Sequence, residues 1–199
     1  MKENQDTSHT LLKKLQRNEG QHWEEFVHYY EGYIYVVIRN FDIRKEDAED
    51  LLQDVLVKVW KALPSYNYEE DKCRFRTWLC VVIRNTVFNF YELRASKNNK
   101  KNVSYEEVLE GLNLITEAEI DKLAAREWKS YISNMAWDKV KDDFSEISRQ
   151  IFEASMHEDS NSVLAEKFNV AESSVRVYKM RVRKTLLKEI VRLNQELGG

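Results

Sequence analysis

Residues 161–190 read NSVLAEKFNVAESSVRVYKMRVRKTLLKEI, and this stretch predicts two helices that pack across a tight turn. Ala165 is a small residue where the helices would cross, and Asn169 lies in the turn, where a residue that tolerates positive φ is needed. We expect Ser173 to cap the second helix and Ser174 to begin it. The apolar residues that would hold the helices together are Leu164, Phe168, Val170, Val175 and Tyr178. The pattern is typical of a helix-turn-helix.

The second of these helices carries basic residues that avoid its apolar positions. They are Arg176, Lys179, Arg181, Arg183 and Lys184. Such a helix can enter a major groove, where its first turns read bases and later basic residues contact phosphates. We therefore expect Arg176 and Lys179 to reach base edges, with Ser173 and Ser174 as further candidates, and the remaining three to contact the DNA backbone. A helical hairpin with a solvated basic face is the alternative, but the turn residue, the cap and the charge together favour DNA binding.

The composition excludes several classes of protein. The 199 residues include one proline and five glycines, too few for the frequent turns of an all-β fold, so we expect an all-α protein. Its uncharged apolar runs are far shorter than the roughly 20 residues that span a bilayer, and no secretory signal opens the chain. We therefore expect a cytoplasmic protein without membrane insertion.

Neither an enzyme nor a metalloprotein is indicated. The two cysteines, Cys73 and Cys80, have neither a zinc spacing nor a disulfide pattern. None of the four histidines is spaced for catalysis or metal binding, and there is no glycine-rich phosphate loop. We expect no catalytic residues, no metal and no cofactor.

Charge and periodicity divide the chain. Apolar residues at three- and four-residue steps predict helices over residues 23–38, 44–63 and 75–95, the second ended by Pro64. Residues 72–101 carry eight basic residues against one acidic residue, whereas residues 102–147 carry eleven acidic against five basic. These blocks predict a first domain over residues 1–97, an acidic linker over 98–125, and a helix-turn-helix domain over 126–199, with solvated helix faces as the simpler explanation of the charge.

Three stretches together resemble a bacterial RNA polymerase sigma factor of the sigma-70 family, of the extracytoplasmic-function (ECF) type. They are DAEDLLQDVLVKVWKAL at residues 47–63, FRTWLCVVIRNTVFNFYELR at 75–94, and VLAEKFNVAESSVRVYKMRVRKTLLKEI at 163–190. The resemblance implies a region 2-like first domain that binds core polymerase and the −10 element and helps melt DNA. It implies a region 4-like last domain that reads the −35 element and touches the β flap. An anti-sigma factor is a further candidate partner.

The resemblance assigns a polymerase contact to the helix over residues 47–63. Asp50, Gln53 and Asp54 would face the β′ clamp helices. Their spacing at i, i+3 and i+4 puts them on one helical face, which is compatible with an acidic docking patch. Without the resemblance, solvent-facing charges would be the preferred interpretation.

The resemblance also assigns contacts with the −10 element. Tyr66 and Tyr68 would stack on the opened strand, and Asn85 and Asn89, one helical turn apart, would contact an unstacked base. Four arginines would bind phosphates: Arg74, Arg76, Arg84 and Arg94. Trp78 shares the apolar stripe and is expected in the core.

Two other classes of protein use similar patterns. A conventional helix-turn-helix regulator would act without core polymerase and would usually bind palindromic sites as a dimer. A ligand-sensing domain has no reason to contain the segment at residues 47–63 followed by a basic aromatic helix. A helical interaction adaptor is the second of these classes, and the basic blocks are evidence against it.

The sequence departs from the family pattern in two places. The helix-turn-helix lacks the glycine usual at its turn, and residues 148–162 are polar where a longer apolar helix is common in the family. The preferred −35 sequence therefore does not follow from the resemblance.

Overall fold

The computed structural model describes residues 10–16, 22–66, 75–97, 103–157 and 160–197. These residues form helices joined by turns and short connections, and none of them lies in a strand. The predicted all-α fold is confirmed. Within the described ranges, the helices are too short or too polar to cross a membrane.

Nine α-helices follow one another along the described residues. They are α1 (Thr10–Gln16), α2 (Trp23–Arg39), α3 (Lys45–Ala62), α4 (Phe75–Lys97), α5 (Val103–Leu114), α6 (Glu117–Val140), α7 (Glu146–Ala154), α8 (Asn161–Lys167) and α9 (Glu172–Glu196). Short 3₁₀ turns follow α3 at Leu63–Ser65 and α6 at Lys141–Asp143. Pro64 lies in the first of these turns, as expected of a residue that cannot continue the α-helical hydrogen bonding.

The chain divides into two compact units, one comprising residues 1–131 with 196–199 and the other residues 132–195. The predicted division into residues 1–97, a linker over 98–125 and residues 126–199 stays a prediction. Independent folding of residues 1–97 and 126–199 stays a prediction.

The core of the first unit is built from α2, α3 and α4. Each buries the stripe that its periodicity predicts, for example Ile34, Val55 and Ile83. Polar links add to this packing: the Lys58 ammonium donates to the Thr86 hydroxyl at 3.1 Å, and the Tyr91 hydroxyl donates to the Phe41 carbonyl at 3.2 Å. The first bond joins α3 to α4, and the second joins α4 to the connection between α2 and α3. The opposite faces of α3 and α4 are exposed.

The acidic segment after α4 contains α5 and the start of α6. α5 packs on α4, and the first half of α6 buries Ile120, Ala124 and Trp128 in the first unit. The Thr77 hydroxyl donates to the Asp121 carboxylate at 2.7 Å, which joins α4 to α6. Sequence reasoning missed this packing because the apolar residues of the segment are scattered among acidic ones and show no clear stripe.

The second unit contains two helices that meet at a tight turn, α8 and α9. Ile151, Leu164, Ala165 and Val175 form its buried cluster. The Ser160 hydroxyl caps α8 by accepting from the Val163 amide. In the turn Asn169 has a φ of 50°, the left-handed conformation that asparagine tolerates better than most residues.

The start of α9 differs from the prediction. The helix begins at Glu172, and the Ala171 carbonyl accepts from the amides of Ser174 and Val175. Ser173 and Ser174 therefore lie inside the first turn, so the expectation that Ser173 caps the helix was wrong. The earlier start places both serines on the helix itself.

Candidate nucleic-acid and polymerase interfaces

The predicted docking residues lie on the outer face of α3. Asp50, Gln53 and Asp54 are exposed, whereas Leu51 and Val55, which alternate with them, are buried. The alternation follows from the helical period, because residues three and four apart share a face. The three side chains form an acidic and polar patch at the surface of the first unit.

Two apolar side chains extend this patch toward the end of α3, and sequence reasoning missed both. Val57 is 50 % exposed and Trp60 is 41 % exposed. The Trp60 ring lies edge-on to Trp23, with centroids 4.9 Å apart, so its position is fixed by packing. Exposed apolar residues beside charged ones are typical of protein-binding surfaces. A signal was present in the sequence, since Val57 and Trp60 fall outside the buried stripe of α3.

The outer face of α4 carries the two predicted asparagines. Asn85 and Asn89 are exposed one turn apart, and Arg84 is half-buried beside them. The Arg84 guanidinium donates to the Asn85 side-chain oxygen from Nε at 3.2 Å and from Nη2 at 3.0 Å. The two side chains are thus oriented together at the surface, with amide and guanidinium donors available to a ligand.

Arg76 is not part of this outer face. It is only 8 % exposed, and its guanidinium carbon lies 4.9 Å from the centroid of the Trp128 ring, a cation–π arrangement. The predicted phosphate contact by Arg76 requires correction, because α6 covers the side chain. The sequence could not show this, since Trp128 is 52 residues further along the chain.

Other predicted contacts on this surface are already engaged within the unit. Arg94 donates to the Asp47 carboxylate at 2.5 Å and lies over the Phe90 ring at 4.4 Å. Tyr66 is half-buried, and its ring centroid is 4.8 Å from that of Trp78. Trp78 is itself half-buried, so it is less enclosed than expected. Tyr68 and Arg74 lie outside the described residues.

On α9 most of the predicted DNA contacts are exposed. They are Ser173, Arg176, Arg181, Arg183 and Lys184, while Ser174 is half-buried. The Arg176 guanidinium donates to the Glu172 carboxylate at 3.2 Å, an exposed pair one turn apart. Exposed ion pairs of this kind contribute little to the free energy of unfolding, so Arg176 can exchange Glu172 for another anion with little loss of stability.

Lys179 does not belong to the exposed set. It is 9 % exposed, and its ammonium donates to the Asn161 side-chain oxygen at 3.0 Å. The predicted base contact by Lys179 therefore requires correction: the residue joins α9 to the first residue of α8. Its neighbours Val177 and Met180 are exposed instead, and sequence reasoning did not consider them.

The buried polar groups of the first unit are structural. The Tyr33 hydroxyl donates to the Ala124 carbonyl at 3.2 Å and lies 3.3 Å from the Cys80 sulfur. Burial raises the pKa of Tyr33 far above its usual value and raises the pKa of the Cys80 thiol to about 11. A thiol with a raised pKa is a poor nucleophile at neutral pH. Among the described residues, no group of three His, Cys, Asp or Glu side chains is placed to hold a metal ion.

Comparison with known proteins finds a family match within the first unit. No curated protein matches the chain. Residues 26–97 match the Sigma-70 region 2 family, and this range runs from α2 to the end of α4. It thus includes both the acidic face of α3 and the asparagine-bearing face of α4. Residues 26–97 are therefore similar to sigma-70 region 2, a domain of transcription initiation factors.

Proposed function

We propose that this protein is a sigma factor of the extracytoplasmic-function type, which directs core RNA polymerase to promoters. The match of residues 26–97 to sigma-70 region 2 carries the proposal. Region 2 is not an enzyme domain, so the proposed activity is binding, positioning and DNA melting. A factor with these partners acts in the cytoplasm. An anti-sigma factor that restrains it stays a prediction.

In this proposal the outer face of α3 docks on the β′ clamp helices. Asp50, Gln53 and Asp54 supply charge and hydrogen-bonding groups, and Val57 and Trp60 supply apolar contact area. Interfaces of this composition draw most of their affinity from a few large side chains, and aromatic residues are frequent among them. The acidic part of the face gives orientation and speed of association.

The outer face of α4 is proposed to hold the −10 element. Asn85 and Asn89 present amide groups to an unstacked base, and Arg84 adds positive charge. The arrangement suits a single strand more than a duplex, because amides can pair with base edges that are hidden in the double helix. Residues 132–195 are proposed to read the −35 element through α9 and to touch the β flap.

Run-off transcription with core polymerase tests the proposal. The protein should initiate transcription from specific sites, which a conventional regulator cannot do.

The double variant Gln53→Ala, Asp54→Lys should lose core binding, because a reversed charge at an interface costs several kcal/mol. Glu110→Lys, an equally exposed charge reversal on α5, is the matched control and should bind normally. Core binding unaffected by the double variant would remove α3 from the docking surface.

Promoter melting is tested separately. Arg84→Ala and Asn85→Ala should reduce permanganate reactivity of thymines in the opened region while closed-complex binding changes less. Because these side chains are exposed or half-buried, the variants should fold normally, which circular dichroism checks. Normal opening in both variants would mean that α4 does not hold the unpaired strand.

A further inference from the structure

The outward face of α9 has an apolar centre between basic edges. Val177 is 38 % exposed and Met180 is 63 % exposed, three residues apart on the same side of the helix. Arg176 and Lys184 lie one turn to either side of Met180, and both are exposed. The opposite side of the helix is closed, since Val175 and Val182 are buried.

Position along the helix separates these two residues from the other exposed apolar residues of α9. At about 1.5 Å per residue, Met180 lies about 12 Å from the start of the helix at Glu172, and Leu187 about 22 Å from it. The major groove is about 12 Å wide, so only the first turns of a recognition helix lie within it. Val177 and Met180 fall inside that length, and Leu187 falls outside it.

The local surface fits nucleic acid better than an apolar protein partner. A shallow groove of about 480 Å³ runs beside Met180, and its lining includes Arg176, Arg183 and Lys184. Basic side chains on both sides of a narrow apolar strip match two rows of phosphates beside the base edges that lie between them. A thymine methyl is the apolar group that a major groove of unmodified DNA presents.

We propose that Val177 and Met180 recognise thymine methyl groups in the −35 element, which rests on the proposed function of residues 132–195. Arg183 and Lys184 then hold flanking phosphates, and Arg176 keeps its predicted contact with a base edge. Met180 suits the task because its thioether side chain is flexible and adapts to an irregular apolar contact. The assignment replaces Lys179, whose ammonium is held by Asn161, as the central contact of this face.

The test uses the full chain with core polymerase and a promoter that it initiates from. Each thymine of the −35 element is replaced in turn by deoxyuridine, which removes the methyl and keeps the base pairing. Burial of one methyl is worth about 0.8 kcal/mol, so we expect about a fourfold loss of affinity at one or two positions. Met180→Ala should abolish the loss at one position and Val177→Ala at the other, without a change in thermal stability.

Met156→Ala is the matched control, since Met156 is 61 % exposed in the same unit but lies outside α9. It should keep the full preference for thymine over deoxyuridine. Equal affinity for both bases at every position, while the −35 element is still required, would overturn the methyl contact and leave the sigma role intact. Failure to initiate from any promoter would instead overturn the proposed function, and with it this inference.

Discussion

Trp128→Ala should destabilise the first unit strongly, because Trp128 is the largest of the side chains that α6 buries against α2 and α4. It is 2 % exposed, and its ring lies 5.6 Å from Tyr30 and 5.2 Å from Tyr33, centroid to centroid. The Arg76 guanidinium also lies over this ring, 4.9 Å from its centroid. The substitution would leave a cavity and would remove the aromatic partner of a buried cation.

The expected loss is large relative to the stability of a domain. Replacing a buried tryptophan by alanine costs about 3–5 kcal/mol, and a desolvated cation–π contact adds about 1–2 kcal/mol. Domains are stable by only about 5–15 kcal/mol. At roughly 4 °C per kcal/mol for a unit of this size, a loss of about 4 kcal/mol lowers its Tm by about 15 °C.

Urea and thermal unfolding of the full chain, followed by circular dichroism, measure this loss. Trp60→Ala is the control, because Trp60 is 41 % exposed and should cost far less. A Trp128→Ala protein that unfolds within about 1 kcal/mol of the wild type would refute the reasoning. The first half of α6 would then not be part of the core.

Three further predictions concern a buried lysine and the stability of the fold at alkaline and at acid pH. Lys179→Ala should lower the stability of the second unit by about 1 kcal/mol, and the double variant with Asn161→Ala should cost less than the sum of the single ones, which a double-mutant cycle in urea measures. Burial raises the pKa of Tyr33 above its unfolded value of 10, so the contribution of Tyr33 to the free energy of unfolding is fully present below pH 10 and is lost as the pH rises further. When unfolding is measured at increasing alkaline pH, the Tyr33→Phe protein should lose less stability than the wild type. Equal losses would contradict the assignment. A hydrogen bond from Arg192 lowers the pKa of Glu189 below its usual 4.5, so the contribution of Glu189 to stability is present above pH 4.5 and is lost as the pH falls further. The Glu189→Gln protein should lose less stability than the wild type when the pH is lowered. An equal loss would contradict the assignment.

The helices of the first unit could be predicted because their signal is local. In α2 and α3 the apolar stripe and its polar complement lie within about 20 residues, so periodicity alone reveals both the helix and its outer face. The acidic patch at Asp50 and Asp54 follows from the same pattern. The left-handed turn at Asn169 was predictable because few residue types tolerate it.

The burial of two basic residues could not be predicted, because it depends on distant partners. Arg76 and Lys179 each occur in a basic, helical segment, where surface exposure is the ordinary expectation. Trp128 covers Arg76, and Asn161 accepts a hydrogen bond from Lys179. In both cases the partner lies on a different helix. The docking of α5 and α6 is hidden for the same reason.

The residues on the outward side of α9 contribute little to the packing of the second unit. Ser173, Val177 and Met180 are exposed, and the fold depends instead on inward residues such as Val175 and Lys179. Substitutions on the outward side therefore carry almost no folding penalty. Under the proposed function, variation at these positions can change the DNA sequence that α9 binds without changing the fold. Under the same proposal, related chains can diverge in the promoters they recognise while the scaffold stays unchanged, and these positions are suited to a library that selects new promoter preferences.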